Sequence, residues 1–230
     1  MNNHEAPLGA IFDVDGTLVD SYEAHFESWR VALSQHNITY EHDEFAKNFG
    51  RRNPEIISEI YATRELPPPT DAQSEAIADE KELCFRSIIS QNFPMMPGAD
   101  ALLARLYEAG WLLALGSSAP RANIDLSIEL MGIESILDAV ACGEDVTRGK
   151  PHPDVFLHAA TLLNLEPTNC IVIEDAAAGV EAAHRAGMPA GAIASRGHTR
   201  EELAAADCIV DSLDEFEPDL LARLIKEHVA

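Results

Sequence analysis

Residues 10–17 read Ala-Ile-Phe-Asp-Val-Asp-Gly-Thr, so an apolar run ends in two carboxylates that are two positions apart. Residues i and i+2 of a strand point to the same side, and Asp13 and Asp15 therefore face one site where the strand opens into a loop. Carboxylates held this close repel each other unless a positive charge lies beside them. Mg²⁺ takes one or two carboxylates together with substrate phosphate, so the pair predicts a magnesium site. The alternative is an acidic turn that only closes a strand.

Apolar segments alternate with helical patterns through most of the chain, which predicts an α/β fold with a parallel sheet covered by helices on both faces. Ligands of such sheets bind outside the carboxyl ends of the strands. Asp13, Ser117 and Glu174-Asp175 all lie at these ends. The predicted strands are residues 8–14, 111–117, 139–143, 170–174, 190–194 and 208–211, and the predicted helices between and after them are 99–109, 120–131, 153–163, 177–186, 200–205 and 214–228.

Residues 21–96 break this alternation because they show helical patterns only. They predict an all-helical domain inserted between two parts of a core domain, residues 1–20 and 97–230. Both connections lie near the first strand, which favours hinges and a mobile lid. The alternative is a helical embellishment without a role of its own. Its predicted helices are residues 22–37, 41–48, 54–63 and 72–91.

Three further motifs follow the first in a fixed order. Ser117 ends the run Trp-Leu-Leu-Ala-Leu-Gly, Lys150 lies in Gly-Lys-Pro-His-Pro-Asp, and Glu174-Asp175 follow Cys-Ile-Val-Ile. Together the four motifs resemble those of the haloacid dehalogenase-like superfamily, whose nucleophile motif is Asp-x-Asp-Gly-Thr/Val. The resemblance covers nearly the whole chain. It implies a Rossmann-like core and a helical cap that covers the site and selects substrates.

The resemblance also implies roles for the acidic residues. Asp13 would be the nucleophile that takes the phosphoryl group. Asp15 would be the general acid and base, and its presence argues against the dehalogenase branch, which lacks this carboxylate. Mg²⁺ would be held by Asp13, the backbone carbonyl of Asp15 and the side chain of Asp175, with Glu174 binding it directly or orienting its water. Without the other motifs, Glu174-Asp175 would also fit an acidic helix N-terminus.

Phosphate binding is expected from two serines and one lysine. Ser117 and Ser118 precede a predicted helix, and the free N–H groups of a helix N-terminus bind anions. We assign Ser117 to the phosphate. Ser118 is the second hydroxyl of this substrate site and is the better suited of the two to cap the helix. Lys150 supplies a compact positive charge for the phosphoryl oxygens and for Asp13.

Residues 22–29 of the helical insertion resemble the corresponding stretch of β-phosphoglucomutases and related sugar-phosphate phosphatases. The resemblance implies that His25 helps couple closure to substrate binding. Lys81 matches its partner lysine by position. The alternatives are a histidine on a helix surface and a solvated lysine in a local ion pair.

The loop Phe-Gly-Arg-Arg-Asn, residues 49–53, resembles the cap loop that recognises the substrate. Arg51 and Arg52 indicate anion recognition, although one of them could simply be solvated. The mutases carry a lysine just before the glycine and an arginine three residues after it. This chain has Phe49 and Asn53 there, which argues against binding of the second phosphate of a bisphosphate, although Arg51 or Arg52 could substitute for the missing cations.

Composition limits the partners of this chain of 230 residues, which has a formal net charge of −23. Such acidity argues against nucleic acid binding and repels a phosphorylated substrate at long range, so local cations must create the anion site. No run approaches the ~18 apolar residues that span a membrane, and no signal peptide is apparent. The four scattered cysteines predict neither a disulfide nor a zinc site. We expect a soluble, cytoplasmic protein without a membrane partner, and a monomer because its helical surfaces are acidic.

The sequence therefore predicts a Mg²⁺-dependent phosphatase that acts on a small phosphorylated metabolite. The substrate would be a phosphomonoester of a sugar or other polyol, hydrolysed through an aspartyl-phosphate. The first alternative is a β-phosphoglucomutase-type phosphomutase, in which a sugar hydroxyl instead of water takes the phosphoryl group. Pyrophosphate and phosphoglycolate are further candidate substrates. A non-catalytic phospho-ligand-binding protein is a remote alternative, because such a protein would be expected to have lost Asp13, Asp15, Lys150 or Asp175.

Overall fold

The computed structural model describes residues 6–229 and contains one six-stranded sheet in which all paired strands are parallel. The strand order is β3-β2-β1-β4-β5-β6, so the first strand lies near the centre. All residues of β1 and β4 are buried, as expected for parallel strands covered on both faces. The strands are β1 (Gly9–Phe12), β2 (Leu112–Gly116), β3 (Ala139–Ala141), β4 (Cys170–Glu174), β5 (Ala190–Ile193) and β6 (Cys208–Val210).

The register of the central strands brings the motifs to one edge. Phe12 lies opposite Leu115 of β2 and Ile173 of β4. The residues that follow these positions therefore emerge side by side at the carboxyl end of the sheet. This edge holds Asp13 and Glu174.

The chain divides into two compact units, and the helical one consists of residues 21–93. Its helices enclose a core of their own, in which Trp29, Phe45 and Ile57 are buried. Thr70 begins the last of them with a capping box, because its hydroxyl accepts from the Gln73 N–H while the Gln73 side chain accepts from the Thr70 N–H. The helices are α1 (Tyr22–Gln35), α2 (His42–Asn48), α3 (Asn53–Thr63) and α4 (Asp71–Gln91).

The sheet unit comprises the residues up to Asp20 and from Pro94 onward. The sequence assigned residues 94–96 to the helical insertion, but they bond with the chain just before it. The Asp20 N–H donates to the Pro94 carbonyl at 2.7 Å, and the Met96 N–H donates to the Leu18 carbonyl at 2.9 Å. The helices of this unit are α5 (Ala99–Glu108), α6 (Arg121–Met131), α7 (Asp154–Leu162), α8 (Ala177–Arg185) and α9 (Pro218–Val229).

Two helices predicted near the C-terminus differ from the structure. Residues 200–205 form hydrogen-bonded turns instead of a helix. Asp207 already donates to the Ala190 carbonyl and β6 begins at the next residue, which leaves too little chain for a regular helix. The last helix begins at Pro218 instead of residue 214, because proline suits the first turn of a helix and cannot continue one.

None of the helices within residues 6–229 combines the length and the apolar character needed to cross a membrane.

Phe156 on α7 is fully buried in the core that α7 and α8 form against the sheet, whereas Leu162 on the same helix is 47% exposed. We expect Phe156→Ala to lower the free energy of unfolding by about 3–5 kcal/mol because it leaves a cavity. Leu162→Ala, the matched control, should change it by about 0.5 kcal/mol. Urea titration followed by circular dichroism measures both values. Equal losses in the two variants would contradict this account of the core.

Candidate active site

Asp13 stands directly after β1 and is almost completely buried. Its N–H donates to the Ile173 carbonyl at 2.9 Å, so the backbone is held to β4 beyond the last paired residue of the strand. The chain then turns back, because the Gly16 N–H donates to the Val19 carbonyl at 2.7 Å. Gly16 has a φ of +83°, and a Cβ on it would overlap the carboxylate of Asp175. A glycine is therefore needed at position 16 so that the loop after β1 can pack against Asp175.

Lys150 lies between two carboxylates at this edge. Its Nζ donates to Asp13 Oδ1 at 2.5 Å and to Glu174 Oε1 at 2.7 Å. The same ammonium group lies 4.7 Å from the ring centroid of Phe156. Burial acts to lower the pKa of Lys150, but the charges of Asp13 and Glu174 outweigh burial and raise it above its usual value. Lys150 is therefore a fixed positive charge in the site.

Glu174 is held from several sides. Its Oε2 accepts from the N–H groups of Asp175 at 2.8 Å and of Ala176 at 2.7 Å, while Oε1 accepts from Lys150. Gly179 in the first turn of α8 packs so closely that a Cβ there would overlap this carboxylate. Both oxygens of Glu174 thus already have partners. This favours a role in orienting Lys150 and argues against a role as a direct metal ligand.

The carboxyl groups of Asp13, Asp175 and Asp15 also belong to this edge of the sheet. Burial raises the pKa of Asp13 to about 7, against the opposing effect of Lys150, and the charges of Glu174 and Asp15 add to the increase. Burial also raises the pKa of Asp175, and Glu174 and Asp13 contribute in the same direction. Asp15 is partly exposed in the loop that follows Asp13. The site therefore holds more negative charge than Lys150 can neutralise.

This donor set fits Mg²⁺. Within residues 6–229, no three His, Cys, Asp or Glu side chains form a cluster that could hold a metal ion by themselves. Mg²⁺ does not require such a cluster, because it commonly uses one or two carboxylates and completes its shell with water and substrate phosphate. Asp13 and Asp175 offer buried carboxylate oxygens, and burial together with the neighbouring carboxylates raises the pKa values of both groups, so a cation bound between them would stabilise their ionised forms. The Asp15 backbone carbonyl is the third candidate ligand.

The two serines after β2 differ in their contacts. The buried Ser117 accepts a hydrogen bond from the Ala119 N–H at 3.1 Å, whereas Ser118 is exposed. The expected capping role of Ser118 is wrong, because Pro120 is the residue that precedes α6 and the side chain that accepts from the first N–H of that helix, at Arg121, is Glu144. Ser117 lies at the carboxyl edge of the sheet, where its N–H donates to the Ala141 carbonyl at 3.1 Å.

A polar cluster is buried in the helical unit. Lys81 Nζ lies 3.0 Å from His25 Nδ1 and 2.9 Å from Glu82 Oε1. The structure thus brings together His25 and Lys81, the two residues that the resemblance to β-phosphoglucomutases pairs. Asn53 Nδ2 also donates to Glu82 Oε1, at 2.8 Å. Burial acts to raise the pKa of Glu82, but Lys81 and Asn53 outweigh it, and the pKa lies below its usual value. The sequence analysis missed Glu82, whose type and position resemble those of any helix-surface glutamate.

The two arginines of the cap loop have different surroundings. Arg51 donates to Asn48 Oδ1 at 2.7 Å, forms an ion pair with Glu59 and lies 3.7 Å from Glu55. Arg52 is exposed at the start of α3, and its carbonyl accepts the first hydrogen bonds of that helix. Arg51 is thus occupied within the helical unit.

Sequence reasoning also missed Ser195, which follows β5 at the same edge of the sheet as Ser117 and Glu174. Its Oγ donates to Asp175 Oδ2 at 2.9 Å. The available signal was a polar residue directly after the apolar segment 190–194, the same signal that identified the other strand-end residues.

A family model of haloacid dehalogenase-like hydrolases matches residues 8–187, which include all four motifs and their strands. The chain belongs to this family. The family and the α/β fold expected from the motifs are thereby confirmed, and the chain is an enzyme of the phosphatase type found in the family. This membership argues against the non-catalytic alternative.

Relatives with two different activities match most of the chain. A validoxylamine A 7'-phosphate phosphatase of Streptomyces hygroscopicus subsp. limoneus is 32% identical over 90% of this chain and 94% of its own length. A β-phosphoglucomutase of Bacillus subtilis strain 168 is 29% identical, with 92% of each chain covered. The crystal structure of a β-phosphoglucomutase from Clostridium difficile has a TM-score of 0.85 at 26% identity and covers 97% of this chain and 99% of that one.

The raised pKa of Asp13 predicts a pH-dependent stability. Its folded-state pKa of about 7 exceeds the usual value of 3.8, so its contribution to stability is present at low pH and is lost as pH rises through about 7. In metal-free protein, the Tm of wild type should therefore fall relative to that of Asp13→Asn between about pH 5 and about pH 8. We expect a relative change of at least about 2–4 °C, which corresponds to ~1 kcal/mol in a protein of this size.

Thermal unfolding in the presence of a chelator measures this difference. Asp13→Asn also loses the contact with Lys150, which shifts its Tm by a similar amount at every pH. The informative quantity is therefore the change with pH in the Tm difference between the two proteins. Parallel Tm curves for the two proteins would show that Asp13 is not held with a raised pKa.

Proposed function

We propose that the chain is a Mg²⁺-dependent phosphatase that hydrolyses a phosphomonoester of a sugar or other polyol through an aspartyl-phosphate. The observation that carries this proposal is the contact of Lys150 Nζ with both Asp13 Oδ1 and Glu174 Oε1. It places a permanent cation on the carboxylate that the first motif assigns as nucleophile. Asp15 lies two residues further along the same loop, and we assign it the role of general acid.

In the first half-reaction, an oxygen of ionised Asp13 attacks the phosphorus, and the bond to the ester oxygen breaks. Asp15 in its protonated form donates its proton to that leaving oxygen, which departs as the alcohol. Lys150 and the Ser117 hydroxyl stabilise the charge spread over the phosphoryl oxygens. Asp13, Asp175 and the Asp15 carbonyl would hold Mg²⁺, which would supply further positive charge for these oxygens.

In the second half-reaction, Asp15 is a carboxylate and takes a proton from water as the water oxygen attacks the phosphorus. The bond between Asp13 and the phosphoryl group breaks, which releases inorganic phosphate and restores both carboxyl groups to their starting forms. Covalent catalysis of this kind divides one difficult transfer into two easier ones.

The second candidate is a phosphomutase, in which a sugar hydroxyl replaces water. The B. subtilis relative and the C. difficile structure carry that name. We propose that residues 21–93 act as a cap that selects substrates, and their charges favour the phosphatase. Lys81 is paired with Glu82, and Arg51 is paired with Glu59. A bisphosphate needs a second group of cations, and carboxylates already neutralise these two, which leaves the exposed Arg52 as the one arginine of the loop 49–53 that could serve it.

The test is Mg²⁺-dependent phosphate release across a panel of phosphorylated sugars and polyols, with pyrophosphate and phosphoglycolate included. β-Glucose 1-phosphate with a trace of glucose 1,6-bisphosphate is assayed in parallel for glucose 6-phosphate. We expect phosphate release from one preferred monoester. Formation of glucose 6-phosphate without phosphate release would overturn the phosphatase assignment in favour of the mutase.

Asp13→Asn should lower kcat by at least about 10³-fold because the amide cannot act as the nucleophile. Asp125→Asn, an exposed change on α6, is the matched control and should retain wild-type turnover. Phosphate release on the preferred monoester measures both variants. If Asp13→Asn kept a tenth of the wild-type rate, Asp13 would not be the nucleophile.

Asp15→Asn should lower kcat by about 10²–10⁴-fold, the usual contribution of general acid–base catalysis. The loss should be smaller for substrates whose leaving group is a weak base, such as an aryl phosphate, because these need less protonation. Comparing a sugar phosphate with an aryl phosphate measures this dependence. Equal losses with both substrates would contradict the role of Asp15 as the acid.

A further inference from the structure

We infer that Ser195 is a positioning residue that holds the carboxylate of Asp175 in the orientation needed to bind the metal ion. This inference rests on the proposed function. Ser195 follows β5, which pairs with β4, so the loop after β5 lies at the edge where Asp175 follows β4. The Ser195 hydroxyl lies 2.9 Å from Asp175 Oδ2.

The Ser195 hydroxyl has two contacts, and the ionised carboxylate of Asp175 decides which of them receives its proton. The Gly197 N–H donates to Ser195 Oγ at 3.2 Å. A hydroxyl group has one proton and two acceptor lone pairs, and a carboxylate can only accept. Ser195 therefore accepts from Gly197 and donates its proton to Asp175, which makes it a donor matched to the ionised form.

The loop itself is anchored on both sides of Ser195. The Ala194 N–H donates to the Val210 carbonyl at 2.9 Å, and the Ser195 N–H donates to the His198 carbonyl at 3.2 Å. The hydroxyl is thus presented from a turn held to β6. Asp175 in turn is only 2% exposed and packs against Gly16, which limits the rotation of its carboxylate.

The need for such a donor follows from the surroundings of Asp175. Glu174 and Asp13 repel its negative charge. Lys150 donates to those two residues, at Glu174 Oε1 and Asp13 Oδ1. Ser195 engages Asp175 Oδ2 and so favours use of the other oxygen, Oδ1, as the ligand. Partners of this kind typically change metal affinity by about 10–100-fold when they are removed.

The test is calorimetric titration of Mg²⁺ into the metal-free, full-length protein, which reports metal binding without turnover. Ser195→Ala removes the donor, Ser195→Thr keeps it, and Ser195→Cys replaces it with a weak one. Thr199→Ala is the matched control, because its hydroxyl lies in the same loop and bonds with Glu202. Circular dichroism confirms that each variant is folded before titration.

We expect the Kd for Mg²⁺ to rise about 10–100-fold in Ser195→Ala and by a similar factor in Ser195→Cys, with near wild-type values in Ser195→Thr and Thr199→Ala. Phosphatase activity of Ser195→Ala should then recover as Mg²⁺ is raised. A wild-type Kd in Ser195→Ala, while wild type binds Mg²⁺ and releases phosphate, would overturn the inference and leave the proposed function intact. Wild type that binds no Mg²⁺ would overturn the proposed function itself.

Discussion

Repulsion among carboxylates at the end of the central strands is the constraint on which the rest of the site depends. Register alone brings Asp13 beside Glu174, and the loop after β4 adds Asp175, so three buried carboxyl groups share one edge. Lys150 contributes a single positive charge, and the net charge of −23 offers no help from the rest of the protein. A site of this kind binds a phosphate ester only after more positive charge has entered it, which is the physical reason for assigning it a divalent cation.

The two compact units deal with charge in different ways. In the sheet unit, burial and the neighbouring carboxylates raise the pKa values of Asp13 and Asp175, and Lys150 offsets this only in part. In the helical unit a buried lysine has a matched partner, because Lys81 meets Glu82, whose pKa falls. The sheet unit therefore still needs a cation to stabilise its ionised carboxylates, whereas the charges of the buried Lys81 and Glu82 balance each other.

The sequence predicted the strands and the strand-end residues well, because both depend on local patterns. A buried parallel strand needs a continuous apolar run, and the sheet then collects the following residues at one edge. The helix predicted for residues 200–205 is absent, because a helical pattern does not show that β6 begins at Cys208 and leaves too little chain for a regular helix. Ser195 carried the strand-end signal, but its bond with Asp175, like those of Glu82 with Asn53 and of Glu174 with Lys150, joins side chains from separate segments, for which single-sequence periodicity carries no signal.

Relatives named as a phosphatase and as a mutase both align along most of the chain, at 32% and 29% identity. The first half-reaction is common to both, and every residue assigned to it lies in the sheet unit. In the proposed mechanism, the two reactions differ in what accepts the phosphoryl group from Asp13. Water would need only Asp15 as its base, whereas a sugar phosphate would bring a second dianion that must be held elsewhere. The two cations of the mutase pattern are replaced here by Phe49 and Asn53, and Arg51 is paired with Glu59, so these differences favour water as the acceptor.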